Sequence, residues 1–140
     1  MSQEIKLSGR VIVSGQAAGL AIVTNHPISF LGMVNTETGT FDEPGHELHG
    51  KCLKDCILAY PHGKGSSGDT IRMWRLQKFK VAPAAILFQE AEPIHVQGAM
   101  LLNVPSLFGF AQSICEIIRT GDQVEINGSS VTVHPRTPRA

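Results

Sequence analysis

Residues 62–70, HGKGSSGDT, set Ser66 and Ser67 between Gly65 and Gly68, with Lys64 just before them. A glycine-rich turn that feeds a helix aims successive backbone N–H groups at whatever sits in the turn, and Lys64 adds to that positive potential. Such a place suits a carboxylate or a phosphate. It also lowers the cost of an alkoxide on serine, which otherwise keeps its proton near neutral pH. Two familiar motifs fail on spacing. A nucleotide P-loop needs Gly-Lys followed directly by Ser or Thr, whereas Lys64 is followed by Gly65. A hydrolase nucleophile elbow needs Gly-x-Ser-x-Gly, and neither Ser66 nor Ser67 has glycine at both offsets. On pattern alone, an ordinary flexible turn and an anion- or alkoxide-holding loop both remain open.

Other polar groups give weaker signals. His46 and His49 bracket Glu47 on a glycine-bordered loop, an arrangement that reads as solvated or hydrogen-bonded scaffold and not as a metal site. Cys52 and Cys56, with distant Cys115, lack the spacing of an iron–sulfur ligand set and read as buried structural thiols. No metal ligands are assigned. His62 adjoins the serine loop by chance placement, and Glu90 and Glu92 read as solvated loop residues. Ser29 and Phe30, in PISFLG, either line the mouth of a site and meet a partner, or form a proline-initiated turn with Phe30 in the core.

The elements that must position the loop are legible in outline. Residues 5–24 read as two strands joined by a glycine-containing turn, and 25–50 as a long loop with short strands. Segment 52–60 reads as a buried strand leading into the serine loop. A helix over 70–80 follows, capped by Asp69 or Ser67, closed by Lys78 and Lys80, with Trp74 in its packed face. Segment 83–90 is a second buried strand, Pro93 opens a helix over 93–99, and 99–107 adds a third strand. Alternating runs around Asn127-Gly128 make a hairpin over 122–134. The sum is an α/β domain with a barrel-like, β-rich core and two or three helices, one domain over 1–134 with a loose tail at 135–140.

Bulk composition narrows the function classes. The chain has 140 residues, 42% hydrophobic and 17% charged, enough for a core without staples. Its 12 basic and 12 acidic residues argue against a nucleic-acid binder. No apolar run approaches a membrane span, and the first residues lack a signal-peptide layout. Three cysteines, an odd number, fit reduced thiols and a cytoplasmic location. The low charge content points to a mesophilic source.

PISFLG (27–32), TG (38–39), HELHG (46–50), GKGSSG (63–68), APAAIL (82–87) and GAM (98–100) occur in that order. Together they resemble the small, swivelling subunit of aconitase X, a branch of the aconitase superfamily, over residues 5–133. The resemblance implies a swivelling β/β/α domain like the mobile fourth domain of aconitase. It implies a heterodimer with a large subunit that carries an iron or iron–sulfur centre, this chain binding no cofactor itself. It implies Ser66 as the catalytic base, with Lys64, Gly65, Ser67 and Ser29 around the substrate and Phe30, Gly32 and His46 towards the partner. Aconitase has arginine where Gly68 stands, so the grip on a third carboxylate is missing and Lys64 is the compensating anion contact. Met33 and Asn35 stand where relatives commonly have Gly and Asp. The implied reaction is dehydration of a small β-hydroxy acid, by removal of the proton α to a carboxylate and loss of the β-hydroxyl. Mesophilic composition tilts the substrate towards cis-3-hydroxy-L-proline, with mevalonate 5-phosphate the alternative. A non-catalytic ligand-binding domain that kept the fold is the contrasting possibility.

Overall fold

The computed structural model describes residues 4–64 and 67–137. Gly65 and Ser66, named above, lie outside the described residues. The opening stretch forms three strands: β1 (Ile5–Ser8), β2 (Arg10–Val13) and β3 (Gln16–Val23). The expected two strands become three because the chain breaks at Gly9 as well as near Gly15. Gly19 lies inside β3. The long loop region holds a two-stranded ribbon, β4 (Val34–Asn35) with β5 (Thr40–Phe41).

Next comes β6 (Ile57–Tyr60), shorter than the expected 52–60, because Asp55 turns the chain at φ 62° just before it. Helix α1 (Asp69–Lys78), β7 (Ala85–Phe88), α2 (Pro93–Leu102) and β8 (Ser106–Phe108) follow. The third expected strand, 99–107, therefore gives its first four residues to α2 and keeps only its end in β8. That helix stops at Asn103, which takes up a left-handed conformation and returns its N–H to the Ala99 carbonyl. A short helix, α3 (Ile114–Ile117), precedes the terminal hairpin of β9 (Gln123–Asn127) and β10 (Ser130–His134). Asn127 pairs with Ser130, so the turn centres on Gly128-Ser129, one residue later than the sequence pattern suggests, with Gly128 at φ 61°.

Eight strands form one sheet in the order β1-β10-β9-β3-β6-β7-β8-β2. Its two edge strands, β1 and β2, are joined by Gly9 alone. Edge strands one residue apart in the chain bring the two ends of the sheet together, so the sheet curls into a nearly closed barrel. The run β3-β6-β7-β8 is parallel; residues 24–56 cross from β3 to β6, α1 from β6 to β7 and α2 from β7 to β8. The architecture is the barrel-like α/β arrangement expected, with three helices among the described residues.

Strict alternation along β6 and β7 divides the interior. Ile57 and Ala59, with Ala85 and Leu87, face the barrel alongside Val124 and Val131. Leu58 and Tyr60, with Ile86 and Phe88, face the helices and the 28–53 region. Met73 and Leu76 fasten α1 to that second core. Trp74 does not join them. It is exposed, with the Lys78 Nζ 5.4 Å from its ring centroid.

Candidate functional site

The alternation that sends Tyr60 towards the helices brings its hydroxyl to α2, where His95 Nδ1 lies 2.6 Å away. His95 Nε2 is 2.6 Å from Asp69 Oδ2, the first residue of α1. Asp69 Oδ1 accepts from the Ser29 hydroxyl at 3.1 Å and from the Leu31 N–H at 2.9 Å. Tyr60, Asp69 and His95 are all fully buried. One polar chain thus ties Tyr60, His95 and the 29–31 turn to Asp69, the first residue of α1.

The proton positions follow from chemistry. Burial pushes the Asp69 carboxyl up, but the hydrogen bond from His95 and those from the Leu31 and Phe30 N–H groups outweigh it, so its pKa is lowered and it is ionised. A carboxylate only accepts, so His95 Nε2 carries the proton. With the ring proton on Nε2, Nδ1 accepts from the Tyr60 O–H. Burial, with Asp69 and Glu92 nearby, raises the Tyr60 pKa well above its ordinary value, so that donor is kept. Asp69 does not cap α1 as expected. Gly68 stands at the N-cap without a side-chain bond, and the Asp69 carboxylate is held by His95 and the 29–31 turn.

The loop itself is tied at its start. Ile28 and Gly63 form a parallel bridge, with Ile28 N–H donating to the His62 carbonyl at 3.2 Å and Lys64 N–H to the Ile28 carbonyl at 3.0 Å. The His62 Nδ1–H donates to the Gly63 carbonyl, 2.8 Å away. Lys64 and Ser67 are exposed on either side of residues 65–66. Ser29 is nearly buried and its proton is committed to Asp69 and the Leu31 carbonyl, so it serves the scaffold of the loop.

The partner-facing residues divide. Phe30 is a correction: its ring is fully buried, 5.3 Å from the His95 ring, and the exposed apolar side chain of that turn is Leu31. Ser29 and Leu31 fold the turn down onto Asp69, which drives Phe30 inward. Gly32 is exposed at φ 83°. His46 is half-buried, stacked on Phe41, and its Nδ1 accepts from the Leu48 N–H at 3.0 Å. Glu92 is no solvated loop residue, since it caps α2 by accepting from the Ile94 and His95 N–H groups. Cys52 is exposed, against the buried-thiol reading, while burial raises the Cys56 thiol and pushes Cys115 up to about 12. Among the described residues no three His, Cys, Asp or Glu side chains gather to hold a metal ion, and no helix is long and apolar enough to cross a membrane.

Sequence reasoning missed Tyr60 and His95 altogether. The usable signals were a lone tyrosine closing an apolar strand and a histidine inside an otherwise apolar helix, PIHVQGAMLL. Each calls for a buried partner.

A nearly closed barrel, two crossover helices and a glycine–serine loop at the start of one of them define a swivelling domain of the aconitase type. Residues 6–134 match the aconitase X swivel domain, and the chain belongs to that family. It is 42% identical to the phosphomevalonate dehydratase small subunit of Methanosarcina acetivorans, over 89% of this chain and 87% of that one. It is 39% identical to the protein of the same name from Thermococcus gammatolerans, over 88% and 92%. The crystal structure of Thermococcus kodakaraensis aconitase X in its holo form superposes with a TM-score of 0.87 at 34% identity, covering 94% of this chain and 99% of that chain.

Proposed function

We propose that this chain is the small subunit of a phosphomevalonate dehydratase and that Ser66 is its catalytic base. It is a small subunit of an aconitase X-type dehydratase, a hydro-lyase. The observation that carries the substrate is the near full-length similarity to small subunits of that name. The expectation of cis-3-hydroxy-L-proline rested on charge content, which speaks of habitat and not of pocket chemistry, and no relative described above supports it.

In mevalonate 5-phosphate the carboxylate activates the C2–H bond, and the hydroxyl to be lost sits at C3. Ser66, as its alkoxide, takes the C2 proton, and the electron pair forms the C2–C3 double bond. The C3–O bond breaks with the hydroxyl leaving as hydroxide, which becomes water on taking a proton from an acid of the assembled site or from solvent. A Lewis-acid metal held by the large subunit would supply the acid chemistry for that departure, while this chain contributes the base. Lys64 fits an anionic end of the substrate: a flexible, exposed ammonium suits a phosphate, and Gly68 removes the arginine fork that a third carboxylate would need. The test is turnover by the reconstituted two-subunit complex with wild type and Ser66→Ala side by side. Loss of about 100-fold or more in kcat with an intact complex is expected, since a positioned base contributes about 10²–10⁴. Undiminished turnover by Ser66→Ala would remove the base assignment.

A further inference from the structure

We propose that His95 is the positioning residue of the serine loop, holding the chain on both sides of residues 65–66. The proposal rests on the reading that this loop carries the base. Before the loop, the His95 ring lies against the Gly63 backbone so closely that a Cβ there would fall 2.5 Å from its Cγ and Cδ2. After the loop, its Nε2–H holds Asp69 at 2.6 Å.

The ring has one place to be. Phe30 and Tyr60 flank it at centroid distances of 5.3 and 5.6 Å, and the Tyr60 hydroxyl fixes its Nδ1 edge. An apolar side chain of similar size would fill this space without tying α2 to the first residue of α1. The imidazole does both, with each nitrogen committed to a partner in one tautomer. Gly63 is in turn bridged to Ile28, and Asp69 to Ser29 and Leu31, so the two shoulders share a single frame. A displacement of the base by about 1 Å costs up to about 100-fold in rate. The consequence is a role in kcat beyond any role in stability.

The experiment uses the dehydratase complex carrying Asp69→Asn, His95→Leu or His95→Gln, with Val131→Ala as a control for lost stability, since Val131 is buried in the barrel away from this chain of residues. Asp69→Asn keeps side-chain volume and decides the matter if His95→Leu fails to assemble. Asp69→Asn and His95→Leu are expected to lower kcat about tenfold or more with KM changed less than about threefold, the signature of a contact felt in the transition state. His95→Gln, which retains a donor towards Asp69, recovers part of the loss, and Val131→Ala stays within about twofold of wild type. Amide hydrogen exchange at Lys64 and across 67–69 is expected to quicken in the two damaging variants. The proposal is overturned if they lose no more kcat than Val131→Ala or if those amides exchange as in wild type. Turnover that survives Ser66→Ala sinks the base assignment alone, because the exchange measurement judges the positioning role independently.

Discussion

Tyr60→Phe is the smallest cut into the polar chain that ends on Asp69. It deletes one oxygen and leaves the ring, which packs 5.6 Å from both Phe88 and His95. The lost bond spans 2.6 Å between two groups that are fully buried, so water cannot replace the donor. His95 Nδ1 becomes an unsatisfied buried acceptor, a cost of about 1–3 kcal/mol. For 140 residues the unfolding entropy is roughly 0.3 kcal/mol per kelvin, so Tm falls by about 3–10 °C. Calorimetric melting of wild type and variant at neutral pH measures this directly. Nitrogen-15 NMR of the imidazoles supplies a second readout, with His95 protonated at Nε2 and bare at Nδ1. A Tm unchanged within about 1 °C, or a ring protonated at Nδ1, would refute the assigned direction of the chain.

Gly63→Ala would drive a methyl group to 2.5 Å from a ring that cannot rotate away, and should cost about 1–3 kcal/mol in a chemical-denaturation experiment. An alanine variant as stable as wild type would mean that the ring is not locked. Because the folded-state pKa of Asp69 is lowered, its stabilisation is complete above the unfolded value of about 3.9 and is lost as pH falls through the folded value. The Tm difference between wild type and Asp69→Asn should therefore hold from pH 7 to about 5 and shrink below about 4. A difference independent of pH would contradict an ionised Asp69. Thiol alkylation at neutral pH should label exposed Cys52 well before Cys115, whose pKa near 12 leaves almost no thiolate. Peptide mapping that finds Cys115 labelled first would show the burial to be wrong.

What the sequence made legible was what is local. The terminal hairpin, both longer helices and the two buried strands each announce themselves within about ten residues. Ordered short motifs carried the family, because they run along nearly the whole chain, as does the family match over residues 6–134. The break at Gly9 was not readable, since it matters only once β1 and β2 lie at opposite ends of one curled sheet. Asp69 was legible as a residue at a helix start but not as an acceptor for His95, 26 positions away. Phe30 had two open readings, and burial under the 29–31 turn decided for the core. Charge content led away from the better-supported substrate because it speaks of habitat and not of the chemistry of a pocket.

Substrate choice by the assembled enzyme tests the central claim most directly. The complex of this chain with its large subunit, kept under iron-retaining conditions, would be offered mevalonate 5-phosphate and cis-3-hydroxy-L-proline in separate assays, with release of water followed as formation of the dehydrated product. Turnover of mevalonate 5-phosphate, abolished by Ser66→Ala, is the predicted result. Turnover of cis-3-hydroxy-L-proline alone would contradict it.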